Sequence, residues 1–239
     1  RLEVIIPQAN TFHWQKIKKR INIIPIKTTF LDEATSPFLV LVNYLVRIAR
    51  ITPKVIRSQK NTIIYSSTDT LPDVIPAAIA KIINHSHCWI ARVHHLSPSP
   101  FIRPGNFLIN LGSALMQKIS IYAIRKGADT VLVLNKSLRD TLAGKRFAKE
   151  KLQILPGGVD YQTITRFKPT TGEGFDAVYL GRIHATKGAF DLPHIWSIVV
   201  DKNSAATLAI IGTGSQNNIK KLENLIVKNN LGKNVKVLG

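Results

Sequence analysis

Short β-rich runs alternate with helical stripes along the whole chain, which predicts an α/β fold of parallel sheets flanked by helices. Two further features divide that fold. Residues 161–174 combine Gly, Pro and polar residues with no hydrophobic period, the pattern of a domain boundary. The charge also changes there: residues 1–155 hold 23 basic against 8 acidic residues, a balance of +15, and residues 156–239 hold 10 against 6, a balance of +4. The expected domains are 1–160 and 175–239, joined by a linker over 161–174.

The elements follow from period and punctuation. Residues 2–6 read as a strand ended by Pro7, and residues 23–26 as a second. Between them Lys16, Lys18, Lys19 and Arg20 interleave with Phe12, Trp14 and Ile17, which suits either an interfacial segment on anionic lipid or an amphipathic helix packed on its own sheet. Apolar residues at 38, 41, 42, 45, 46, 48 and 49 mark a helix started by Ser36-Pro37. Strands over 62–65, 88–93, 130–134 and 151–155 alternate with helices over 72–84, 107–126 and 136–143. Past the linker the same alternation gives strands at 177–180, 206–211 and 234–238, with helices at 188–200 and 216–229.

Composition bounds the function. A hydrophobic content of 45% supports a sizeable core and excludes disorder. The single cysteine, Cys88, excludes an intramolecular disulfide and suits a reducing cytosol. The apolar run 37–51 is broken by Asn43, Arg47 and Arg50 and is too short and too charged to span a bilayer. The basic first half predicts an anionic partner: a membrane surface, a phosphate-bearing acceptor or nucleic acid. No DNA- or RNA-binding motif accompanies the charge, so nucleic acid is the least expected of the three. His85, His87, Cys88, His94 and His95 fall within eleven residues, but their spacing fits no standard zinc pattern, and no metal or cofactor is expected.

The most informative stretch is DAVYLGRIHATKG, residues 176–188. An apolar strand ends in Gly181, Arg182 and Lys187 flank a four-residue loop, and Gly188 precedes a helical stripe. A strand, a glycine turn, two cations and a helix N-terminus suit a diphosphate, because backbone N–H groups and the helix dipole face the anion. The competing reading is a plain basic βα loop. Gly212-Thr213-Gly214-Ser215 likewise joins a strand to a helix, reading either as a second amide-lined anion site or as turn chemistry.

This GRxxxxKG loop, preceded by Gly157-Gly158-Val159-Asp160 and followed by Gly212-Thr213-Gly214-Ser215, resembles the retaining glycosyltransferases of family 4. The resemblance runs from about Ile63 to the end and is stronger in the second half. It implies the GT-B architecture: two Rossmann-like domains across a cleft, the first on the acceptor side, the second binding the nucleotide-sugar and incomplete here. By resemblance Gly181, Arg182 and Lys187 hold the donor diphosphate, and Gly212 and Gly214 border the nucleotide pocket. His94, in VHHLSP, takes the place of the His that reaches the donor sugar; a packed or surface His is the alternative. The family pattern has Asp where this chain has His95. The family's E-x7-E pair is absent, the only Glu after Arg182 being Glu223.

The resemblance implies transfer of a hexose, with retention and without a metal, from a nucleoside-diphosphate sugar to a hydroxyl acceptor: a glycan, a lipid or a cell-envelope precursor. The expected location is cytoplasmic, with peripheral attachment to the inner face of the membrane around residues 14–20. Both ends read as cut, so these 239 residues alone are expected to be inactive. The rival readings are a nucleotide-sugar epimerase of the same architecture and a basic non-enzymatic binding protein.

Overall fold

Among the described residues nine strands form three sheets, and every pairing is parallel. The computed structural model describes residues 2–14, 21–33, 36–103, 106–166 and 174–239. The chain divides into two units, Arg1–Val159 and Asp160–Gly239.

In the first unit β1 (Leu2–Pro7) pairs with β2 (Ile21–Ile26), with the short α1 (Thr11–Trp14) in the connection. After α2 (Pro37–Ile56), a second sheet is built from β3 (Ile63–Ser66), β4 (Cys88–Val93), β5 (Thr130–Val133) and β6 (Leu152–Ile154), in that spatial order. The crossovers carry α3 (Leu71–Ile83), α4 (Phe107–Gly127) and α5 (Lys136–Gly144). Period-2 alternation turns Trp89, Ala91 and Val93 of β4 and Val131 and Val133 of β5 into one core, against Val74, Ile124 and Leu142 from the three helices. Trp89 is fully buried, and its indole N–H donates to Ser66 Oγ at 2.9 Å, so its polar atom is satisfied. The start of β4 is fixed by Asp129, whose carboxylate accepts the Trp89 amide at 2.7 Å and pairs with Lys81 at 2.9 Å.

The second unit opens with α6 (Tyr161–Arg166), followed by β7 (Ala177–Leu180), α7 (Leu192–Lys202), β8 (Leu208–Ile211), α8 (Gln216–Lys228) and β9 (Val235–Val237). Its sheet runs β7-β8-β9, and Leu208, Ile210, Trp196, Leu222 and Leu231 form the core with Ile183.

The structure departs from the sequence reading in four places. Residues 161–166 are helical, because Asp160 caps them: its carboxylate accepts the Thr163 amide at 2.9 Å and hydroxyl at 2.6 Å. Helix α7 starts at Leu192 and not at 188, since Gly188 adopts a left-handed φ of 71° that no α-helix continues through. Strand β8 starts at Leu208 and not at 206, because Thr207 is engaged by Asp176 at the sheet end. Strand β2 starts at Ile21 and not at 23, and the described strands of the first unit form two sheets, with β3 an edge. The basic run at 16–20 lies outside the described residues, as does the linker from 167 to 173.

Asp176 anchors the entry to β7. Its carboxylate accepts the Thr207 amide at 2.8 Å and the Thr207 hydroxyl at 2.9 Å, and these donors hold its pKa below the usual carboxylate value. A group depressed in the folded state contributes stability above its unfolded pKa of about 3.9, and that contribution is lost as pH falls through the lower folded value. Asp176→Asn is therefore expected to lower the melting temperature of the second unit at pH 7. The deficit should shrink toward zero as pH falls well below 4, as thermal melts across that range would register.

Candidate functional site

The sequence brings Gly181, Arg182, Lys187, Gly212 and Gly214 to one end of the β7-β8-β9 sheet, beyond the strands' C-termini, where open α/β sheets place ligands. Two loops meet there. The Gly181 amide donates to Ile211 O at 3.0 Å, and the Ile183 amide donates to Thr213 O at 2.9 Å, so the ladder between β7 and β8 continues into the loops. Gly212 has a φ of 149°, and a Cβ there would sit 1.9 Å from Gly181 O. At Gly214 a Cβ would come within 2.6 Å of Ile183 O. Both glycines are needed because the other loop's backbone occupies the space of a side chain. Asn218, in the first turn of α8, completes the junction by donating from Nδ2 to Ile183 O at 3.1 Å.

Under the first loop Tyr179 acts as a prop. Its hydroxyl lies 3.1 Å from Arg182 O and 3.2 Å from Lys187 O, the two ends of the segment, and its single proton serves one of them at a time. Inside the segment, residues Ala185–Lys187 form a 3-10 turn capped by His184, whose Nδ1 accepts the Thr186 amide at 3.2 Å. An accepting Nδ1 places the ring proton on Nε2. Ile183 is buried, whereas the side chains of Arg182 and Lys187 are exposed and, among the described residues, pair with no carboxylate. The result is a braced backbone that presents two uncompensated cations.

Of the two helix termini the sequence offered, the one at this junction is that of α8. Asp191 stands at the N-cap of α7, an exposed carboxylate between Gly188 and the helix, and would repel an anion from that end. Helix α8 begins with Ser215, whose hydroxyl accepts the Asn218 amide, and its first turn holds no acidic residue. The positive end of α8's dipole therefore meets the glycine-locked loops.

In the first unit, His94 follows β4 directly and is half-buried. Its Nε2 lies 3.0 Å from Ser67 O; a carbonyl only accepts, so Nε2 carries the proton and Nδ1 is left as an acceptor. Two residues that sequence reading missed hold the loop. Buried Asp69 accepts from the His94 amide, in a long contact at 3.4 Å. Gln117 of α4 donates to Asp69 Oδ2 and to His95 O, both at 2.9 Å, and accepts the Ser97 amide at 2.8 Å. His95 is exposed. His85 and the fully buried His87 lie at the opposite end of β4, and among the described residues no three His, Cys, Asp or Glu side chains gather closely enough to hold a metal.

Solved structures share this fold. HepE of Anabaena in complex with UDP matches with a TM-score of 0.64 at 16% identity, over 99% of this chain and 61% of HepE; HepE is also known in complex with UDP-glucose. The fold is that of the GT-B glycosyltransferases. A glycosyltransferase from Rickettsia africae matches with a TM-score of 0.59 at 15% identity, over 98% of this chain and 59% of that one. TarM of S. aureus, in complex with fondaparinux, α-GlcNAc-glycerol and UDP, matches with a TM-score of 0.55 at 19% identity, over 80% of this chain and 36% of TarM. The chain thus spans less than two thirds of the length of each. No protein-family model and no curated protein matches the sequence.

The GT-B core of the second unit depends on the loop contact at Gly212. Gly212→Ala forces a side chain into Gly181 O and onto an unfavourable φ, and is expected to destabilise the second unit by about 3 kcal/mol, as overpacking and backbone strain each cost roughly 1–3. Denaturant unfolding checks this; a change below about 0.5 kcal/mol, the scatter of ordinary surface substitutions, would contradict it.

Proposed function

We propose that the chain belongs to a glycosyltransferase that moves a hexose from a nucleoside-diphosphate sugar to a hydroxyl acceptor with retention, and that the second unit holds the donor. The observation that carries this reading is the pair of glycine-locked loops with Arg182 and Lys187 exposed and unpaired above them. Arg182 offers a planar fork to two phosphate oxygens, and Lys187 a mobile point charge. As the sugar leaves, negative charge builds on the diphosphate, and cations already in place stabilise it without a resident metal. The amides around Gly212 and Gly214 and the α8 terminus add fixed dipoles on the nucleotide side. His94, with Nδ1 as an acceptor, is assigned to the donor sugar's hydroxyls. The UDP and UDP-glucose complexes of HepE and the UDP complex of TarM support a uridine donor. The α-GlcNAc-glycerol bound to TarM is in keeping with a glycan or lipid-linked acceptor of the cell envelope.

Isothermal calorimetry with UDP tests the donor site. Arg182→Ala and Lys187→Ala are each expected to weaken UDP binding by about 1.5–3 kcal/mol, roughly 10- to 150-fold, the range for a charged hydrogen bond. Unchanged affinity in both variants would end this assignment. Incubation of the full-length protein with UDP-glucose and a panel of hydroxyl acceptors then separates the chemistries: a new glycoside supports transfer, and an epimeric UDP-sugar without one points to the epimerase reading.

A further inference from the structure

Helix α4 packs on the core through Ile121, Ala123 and Ile124 near its C-terminal end, but elsewhere it turns polar side chains inward and apolar ones outward. The face turned into the first unit carries Asn110, Gln117 and Ser120 beside Ile124, and three of these four are fully or nearly fully buried. The face turned to solvent carries Leu108, Leu115, Ile119 and Tyr122, all exposed. Their spacing of seven, four and three residues puts them on one stripe, about 21 Å long at 1.5 Å per residue. Ahead of the helix, a turn closed by the amides of Ile102 and Arg103 on Ser99 O, both at 3.1 Å, displays Phe101 at 82% and Ile102 at 75% exposure. A helix meant to face water would show the reverse pattern, and exposed apolar patches of this extent mark interaction surfaces.

Charge says what covers it. Arg103, Lys118, Arg125 and Lys126 border the stripe, and among the described residues none of the four is in an ion pair. From Ser97 to Ala128 the sequence has no Asp or Glu. Beside Tyr122 a groove of 440 Å³ is lined by Lys118, Arg125 and Lys145. Arg125 lies over the Tyr122 ring at 5.4 Å and donates to Lys145 O, which holds its charge at the edge of the apolar stripe. A second copy of this chain, with a net charge of +19, would bring like charges together at such a rim.

We propose that this face, Phe101 and Ile102 with the α4 stripe, docks the first unit on an anionic lipid bilayer. The apolar side chains enter the headgroup–acyl boundary, and the cationic groove receives headgroup phosphates. Helix α4 is long and apolar enough to cross a membrane by length and composition, with only 17% of its most apolar window buried. Its inner face is committed to the sheet's core through Ile124, so it lies along the surface and does not span it. The surface is distinct from residues 14–20, where the sequence alone placed the membrane contact, and it stands whether or not the donor reading holds.

The test is sedimentation of the 239-residue chain with vesicles of phosphatidylcholine, alone or mixed with phosphatidylglycerol. Pelleting is expected with the mixed vesicles only, and weaker at higher salt. Phe101→Ser with Ile102→Ser, and separately Leu115→Gln with Ile119→Gln, should each lower the partition coefficient by at least about tenfold. Lys118→Glu with Arg125→Glu should lower it further still, by about fivefold or more per charge removed. Val227→Ser, at an exposed apolar position on α8, should change nothing. Equal pelleting with both vesicle types, none with either, or undiminished pelleting of both apolar double variants would overturn the proposal. So would a self-association that the Leu115→Gln, Ile119→Gln pair abolishes.

Discussion

The contact between Gly212 and the Gly181 carbonyl is the constraint on which the candidate site depends. Two βα loops can be fused backbone to backbone only where one of them has no side chain, and here the ladder bonds of β7 and β8 run straight into that contact. Once the loops are fused, the segment between Arg182 and Lys187 has a fixed floor, with Tyr179 beneath both ends. The backbone of a loop so braced loses little further freedom on meeting an anion, and preorganisation of this kind lowers the cost of binding.

The first unit solves a similar problem with side chains. The loop after β4 is held by Asp69 and Gln117, which satisfy the amides of His94 and Ser97 and the carbonyl of His95. That explains why the buried face of α4 is polar at Gln117, and it links the helix's unusual composition to the histidine it supports. Helix α4 thus faces the site with its polar side and leaves its apolar side outward.

Much of this was legible in the sequence. Alternation and turn residues located the strands from 63 to 237 to within two residues, because a buried parallel strand leaves an unmistakable apolar run between punctuating polar residues. The glycines at 181, 212 and 214 stood out as candidates, although the reason for two of them, a neighbouring carbonyl, is a tertiary fact. The start of α7 was readable and misplaced: Asp191 followed by Pro193 is an N-terminal signal, but the apolar stripe beginning at Phe190 drew the helix back to Gly188. Gln117 and Asp69 were not legible, since they are 48 residues apart and meet only when the sheet forms. The polarity of α4 was also hidden, because periodicity reports that a stripe exists and not which way it faces.

The central claim is that the fused loops form one anion-binding surface in a GT-B glycosyltransferase fold. Amide NMR of the chain during titration with UDP tests it most directly. The account predicts that the amides of residues 182–188 and of 213–216 shift together on a single binding curve, while those at the opposite end of the sheet, around Asp176 and Thr207, stay still. Titration that leaves both loops unmoved, or that moves one without the other, would contradict it.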